Sequence, residues 1–228
     1  MSKLNIDQKT VKELFSAKKT KFLIPDYQRP YAWGEDECQT LWEDLFNFSF
    51  PENNCDNFDS ESDEYFLGPI VTFKNDKGDM EIIDGQQRLT TLMLLLRAFY
   101  DKFKNMKDDK SEKTREQIEA CIWKTDEFGY VNTEELKINS EVATDKDKDE
   151  FLEILRTGDV TKGKSSYAKN YKFFQDKIKE FTEEYVSYTP LLPLRIMQNC
   201  ILLPIEAESQ DTALRIFSVS YTHLTLPT

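Results

Sequence analysis

The chain reads as an α/β fold of the α+β kind, a small mixed sheet built around one central apolar helix and continued by a helical extension. Three observations predict it. Short runs of strand character occur at residues 22–24, 65–74, 80–83 and 200–206. The run from 86 to about 104 carries Leu89, Leu92, Met93, Leu96 and Phe99 at helical spacing, which makes it the helix that packs on the sheet. Beyond Asn105 the sequence turns helical and charged.

The elements follow in order. Residues 7–17 predict a helix with Val11, Leu14 and Phe15 on one face, and Phe22 to Ile24 a strand. Cys38, Leu41, Trp42, Leu45 and Phe46 fall at helical intervals over 35–48, a core stripe in which Cys38 is packed rather than reactive. Two strands at 65–74 and 80–83 are joined by Asn75-Asp76-Lys77-Gly78-Asp79, a hairpin signal with glycine in the turn. Further helices are expected at about 113–123, 146–155 and 166–186. The last of these has Tyr167, Tyr171, Phe174, Ile178 and Phe181 in a packing stripe. A late strand at 200–206 returns to the sheet and a helix follows at 211–217, so residues 1–219 are expected to form one unit. Within it, about 5–105 make the sheet part, about 106–200 the helical part and 201–219 the return.

Length and composition bound the function. At 228 residues the chain can bury one sizeable core, and its longest apolar run, Leu92 to Leu96, is far too short to cross a bilayer. No signal peptide is evident, and four scattered cysteines without framework spacing fit a reducing compartment, so a cytoplasmic location is expected. Net charge is -12, the wrong sign for a module whose main task is gripping duplex DNA. The acids concentrate at 52–64 and 141–150 and read as solvated segments, which leaves room for a local positive patch from Lys18, Lys19, Lys21 and Arg29.

The most informative stretch is Met80-Glu81-Ile82-Ile83-Asp84-Gly85-Gln86-Gln87-Arg88-Leu89-Thr90-Thr91-Leu92, a strand running through a glycine turn into the apolar helix. The first turn of a helix has N–H groups without intrahelical partners and the positive end of the macrodipole, so it suits a phosphate. Gly85 lets a ligand approach the backbone, and Arg88 supplies a charged fork. Asp84 followed three residues later by Gln87 is equally the pattern of a capping box, with Asp84 as N-cap and Gln87 reaching back. On spacing alone, capping is the commoner arrangement.

A second segment weighs on that choice. Ile24-Pro25-Asp26-Tyr27-Gln28-Arg29-Pro30-Tyr31-Ala32-Trp33 is a strand end followed by a loop stiffened by two prolines. Its aromatic faces suit a base and Arg29 suits a phosphate or carboxylate. The competing reading is that Tyr27, Tyr31 and Trp33 pack the loop onto the domain, which is the better account of the aromatics, while Gln28 and Arg29 fit either.

These two segments, joined by Tyr65-Phe66-Leu67-Gly68-Pro69-Ile70-Val71, resemble the N-terminal domain of GmrSD-type restriction endonucleases, phage-defence proteins that attack modified DNA. Ser166-Tyr167-Ala168-Lys169-Asn170-Tyr171-Lys172-Phe173-Phe174 and Asp211-Thr212-Ala213-Leu214-Arg215-Ile216-Phe217-Ser218 continue the resemblance to about residue 219. It implies a ParB/sulfiredoxin-like domain that binds, and in several members hydrolyses, a nucleoside triphosphate with a divalent metal. The implied catalytic residues are Asp84, Gln87 and Arg88, with Tyr27, Gln28, Arg29, Tyr31, Gly85, Gln86, Gln87 and Arg88 around the nucleotide and Asp84 on Mg²⁺. Lys169 and Asn170 are suggested to face the ligand.

Relatives usually carry an HNH-type nuclease domain or recruit it as a subunit, and meet modified DNA through the full system. Here the single histidine is His223 and no cysteine pair has zinc spacing, so the polypeptide is expected not to cut DNA by itself. It is expected to lack that C-terminal half, and residues 220–228 depart from the family pattern and read as a non-native tail, the alternative being a short strand. Hydrolysis would then be a switch that licenses a separate nuclease. A non-catalytic binding module and a homo-oligomer stay open as alternatives.

Overall fold

In a computed structural model, residues 5–18, 20–160 and 163–224 are described, without side-chain detail for residue 5 and for 219–224. The predicted α+β architecture is what forms. The strands are β1 (Asn5–Ile6), β2 (Lys9–Thr10), β3 (Phe22–Ile24), β4 (Tyr65–Lys74), β5 (Met80–Asp84), β6 (Trp123–Thr125), β7 (Val131–Leu136), β8 (Ile138–Ser140) and β9 (Cys200–Ala207). The helices are α1 (Val11–Ser16), α2 (Glu35–Ser49), α3 (Gln86–Phe103), α4 (Asp109–Ile122), α5 (Lys148–Thr157), α6 (Ser166–Glu184), α7 (Leu191–Asn199) and α8 (Gln210–Leu224).

One mixed sheet runs β1-β9-β4-β5-β3-β8, with β2 also pairing β9. The β4–β5 hairpin is antiparallel as predicted, whereas β9 joins β4 in parallel and β3 lies parallel to both β5 and β8. The late strand therefore does return to the sheet, in its interior.

α3 is apolar because it is enclosed. Leu89, Leu92, Met93, Leu94, Leu95, Leu96 and Phe99 have no solvent exposure, since the helix is flanked by α4, α5 and α6 as well as by the core side of the sheet. Truncating any one of them to alanine costs about 2–5 kcal/mol. Neighbouring strand residues point to opposite faces. Ile70 and Ile82 face the core with α3, while Val71, Ile83 and Ala207 pack against Ala213 of α8 in a small separate cluster. α8 thus covers the other face of the sheet.

Several boundaries differ from expectation. Residues 7–10 do not begin a helix: this segment pairs with β9, and α1 starts at Val11 behind a capping box in which Glu13 N–H donates to Thr10 Oγ1 (3.1 Å) and Thr10 N–H to Glu13 Oε2 (2.9 Å). β6–β7, β8 and α7 were not anticipated. Cys38 is packed in the core, as its stripe predicted. α8 continues as helix through Leu224, so no strand forms at 220–224, while residues 225–228 lie outside the described residues. Among the described residues no helix is long and apolar enough to cross a membrane.

Candidate functional site

β5 carries Asp84 to the end of the sheet and Gly85 turns the chain into α3. Gly85 has φ 92°, and a Cβ there would stand 2.6 Å from Ile70 Cγ2. Glycine is thus required by the turn and by contact with β4 before any ligand is considered. The expected capping box does not form. Gly85, not Asp84, occupies the N-cap, no side chain among the described residues caps the helix, and the Gln87 amide is directed at the preceding loop. The left-handed turn at Gly85 moves Asp84 out of cap position, and the loop's backbone groups compete successfully for Gln87. The first-turn N–H groups of an 18-residue helix consequently lack a side-chain cap, and Leu89 N–H makes the first bond back to Gly85 O at 3.0 Å.

The proline-bracketed loop lies over this helix start and is fastened to it by amides. Gln28 Nε2 donates to Ile82 O and Ile83 O (3.2 and 3.0 Å), Gln86 Nε2 to Arg29 O (3.0 Å), and Gln87 Nε2 to Pro30 O (3.2 Å). Gln87 Oε1 accepts from Ala32 N–H at 2.7 Å, so both ends of that amide are engaged. Tyr31 points inward: its hydroxyl pairs with Thr91 Oγ1 (2.7 Å), accepts from Asn170 Nδ2 (2.9 Å), and its ring stacks on Tyr167 at 4.7 Å. Burial, the main cause, raises the Tyr31 phenol above its ordinary pKa and keeps it protonated. Asn170 also donates to Trp33 O at 2.8 Å, so its contribution is to hold the loop from α6.

Under the loop is a cavity of about 670 Å³. It gathers the predicted Gln28, Arg29, Asp84, Gly85, Gln86, Gln87 and Arg88. Tyr27 and Tyr31 do not line it: Tyr27 turns to Glu81 (3.4 Å) in a neighbouring acidic cleft, and Tyr31 is in the packing just described. The aromatic side chains at the cavity are Trp33 and Phe217 instead. Trp33 sits two residues beyond Tyr31 in the same motif, and Phe217 belongs to the last matching segment, but nothing in their spacing says which ring turns toward the helix start. Lys169 is exposed on α6 and lines a different cleft, against α2.

The charges favour an anion. Arg29 is exposed at the cavity, and its side chain has no ion pair or hydrogen bond among the described residues. Arg88 is half-buried and donates to Pro69 O at 3.0 Å; Gly68 makes the room, because a Cβ there would meet the guanidinium at 2.9 Å. Burial lowers the Arg88 pKa and the Asp84 charge opposes that shift. Gln86, 6 % exposed, supplies the informative defect, since its Oε1 is buried with no hydrogen-bond partner. An orphaned buried acceptor normally costs about 1–3 kcal/mol.

For a divalent metal, the donor set is thin. Among the described residues Asp84 is the one carboxylate at the cavity, and no group of three or more His, Cys, Asp or Glu has the arrangement to hold an ion. That fits Mg²⁺ carried in by phosphates and its own waters with one protein carboxylate, and does not fit an all-protein metal cage. Of the expected positive patch, Lys18 Nζ donates to Glu127 O (3.3 Å), Lys21 lies in a cleft with Glu134 and Glu135, and Lys19 is outside the described residues.

Comparison with protein families gives a match over residues 11–220 to the model described as GmrSD restriction endonuclease, N-terminal domain. Comparison with curated proteins gives no match.

Proposed function

The chain belongs to the GmrSD restriction endonuclease N-terminal domain family, which makes it a module of a phage-defence restriction system, and from that premise we propose that it binds and hydrolyses a nucleoside triphosphate at the start of α3. The observation that carries the proposal is the cavity over an uncapped helix N-terminus, with two arginines and a buried acceptor that lacks a donor. First-turn N–H groups and Arg29 and Arg88 offset phosphate charge. Gln86 Oε1 accepts a hydrogen bond from the attacking water, which it orients, or from a ligand hydroxyl or amine, and so satisfies its own unmet acceptor. Asp84 is the residue that would hold Mg²⁺, which when bound would neutralise phosphate oxygens and polarise the terminal phosphoryl group. In the full system, turnover here licenses an HNH-type nuclease domain or subunit acting on modified DNA.

One observation favours binding without turnover: the Gln87 amide is engaged at both ends by the loop, which leaves Gln86 as the glutamine with a free acceptor. A single experiment separates the readings. Phosphate release is measured from a panel of nucleoside triphosphates with Mg²⁺, for the parent and for Arg29→Ala, Asp84→Asn, Gln86→Ala and Arg88→Ala. Turnover that falls by about 100-fold in variants that still melt cooperatively supports catalysis at this site. Saturable binding with no phosphate release leaves the binding module, and a folded parent that neither binds nor turns over nucleotide sinks both.

A further inference from the structure

β4 carries one residue more than β9 where the two run side by side: Phe66 is paired with Ile201 and Gly68 with Leu202, so Leu67 is the inserted residue of a bulge. The bulge reverses the alternation of the strand. Leu67 faces the main core and so does Ile70, an odd spacing that an unbroken strand does not give. Gly68 takes the step with φ 117°, and a Cβ added there would stand 2.9 Å from Arg88 Nη2 and 3.0 Å from both Cζ and Nη1. A point so nearly equidistant from all three atoms lies above their plane, so the guanidinium rests face-on over Gly68. Arg88 Nη1 also donates to Pro69 O at 3.0 Å, beyond the point where β5 leaves the sheet, since its last residue, Asp84, is paired with Val71. The bulge thus forms a seat in the sheet for a side chain that lines the cavity.

We propose that Gly68 is a positioning residue of the nucleotide site: its bulge aims the Arg88 guanidinium at the phosphates, so Arg88 reads them by the geometry of its fork while Arg29 supplies charge. This rests on the nucleotide reading above. The two arginines differ in how they are held. Arg88 has its plane fixed by Gly68 and one N–H fixed by Pro69 O, whereas Arg29 is exposed on the loop. A guanidinium ordered during folding loses little further freedom when a ligand arrives, and its planar fork matches two phosphate oxygens. An ammonium on a flexible stem offers a point charge and no plane.

The test is calorimetric affinity for the β,γ-imido analogues of the common ribonucleoside triphosphates with Mg²⁺. The parent is compared with Arg88→Lys, Arg29→Lys, Gly68→Ala and the double variant Gly68→Ala/Arg88→Lys, each checked for a cooperative melt. Arg88→Lys keeps the charge and loses the fork, so binding should weaken by about tenfold or more, against about threefold or less for Arg29→Lys. Gly68→Ala displaces the guanidinium and should weaken binding about as much as Arg88→Lys does. In the Arg88→Lys background the same change should add about twofold at most, because the fork is already gone. A second loss of full size in that background means that Gly68 acts through the fold alone, and overturns its positioning role. Parent-like affinity in Arg88→Lys overturns the seat and leaves the nucleotide site standing, and this variant decides the matter by itself if Gly68→Ala does not fold. No binding of any analogue by the folded parent overturns the nucleotide reading and this inference with it.

Discussion

Gly85 and Gln87 are engaged by the fold itself, whereas Gln86 keeps an acceptor without a partner. At Gly85, alanine would have to hold φ 92° with its Cβ 2.6 Å from Ile70 Cγ2. Gly85→Ala is therefore expected to destabilise by about 1–3 kcal/mol, read from the midpoint of urea unfolding, and an unchanged midpoint would mean that β4 yields freely. Gln87→Ala removes both bonds that hold Pro30 and Ala32, so stability should fall by about 1–3 kcal/mol. Gln86→Ala deletes one bond but also an orphaned acceptor, so the losses offset and stability should hold while nucleotide affinity falls. Paired denaturation and binding curves check this contrast, and identical behaviour of the two variants would refute it. The motif itself was legible in the sequence, since Asp84 to Arg88 with Gln28 and Arg29 do line one cavity. Its internal division was not, because a capping-box spacing and a loop-clamping glutamine are the same letters until the turn at Gly85 sets the helix phase.

Among the elements, α3 is held against its neighbours by one buried polar knot. Arg97 is 2 % exposed, donates to Leu155 O at the end of α5 (3.1 Å) and pairs with Asp101 (2.7 Å), which also accepts from Lys104 and from Tyr171 of α6. Burial alone would raise the Asp101 pKa, but the Tyr171 hydrogen bond and the Arg97 and Lys104 charges outweigh it and hold the carboxyl below its ordinary 3.8. A carboxyl depressed by folding contributes stability above its unfolded pKa and loses it as pH falls through the folded value. Stability should accordingly decline below about pH 3.8, and Asp101→Asn should lower it by about 3–5 kcal/mol at neutral pH while flattening that acid limb. Urea titrations from pH 2 to 7 give the test, and parallel pH profiles for parent and variant would rule Asp101 out as the source.

The same scale explains which elements could be foreseen. α3 and the β4–β5 hairpin were legible because each is long enough to display its period, with a glycine marking the turn. Strands of two or three residues such as β1, β2 and β8 have no period to read, and they exist because β9 and β3 offer edges to pair with. α7 was hidden by Pro190 and Pro193, which read as breakers yet fall at its N-cap and first turn, where a missing N–H is harmless.

For the whole molecule, charge argues about DNA. The net -12 is spread over exposed segments, among them the acidic run near residues 52–64, which Arg195 and Asn199 tie down through backbone carbonyls and leave acidic. Duplex affinity comes chiefly from phosphates neutralised by Lys and Arg. Among the described residues the cationic groups at the α3 cavity are Arg29 and Arg88, and Arg88 is already bonded to Pro69 O. The chain by itself should therefore fail to hold unmodified duplex, with a Kd no tighter than about 10⁻⁴ M near physiological salt and little further weakening as salt rises. Fluorescence anisotropy of a labelled duplex between about 50 and 200 mM salt measures both quantities. A tight complex with a steep salt slope would mean that a basic surface dominates despite the net charge. If the weak result holds, DNA must be gripped elsewhere in the full system, and under the function proposed above this module would act on that grip through a bound nucleotide.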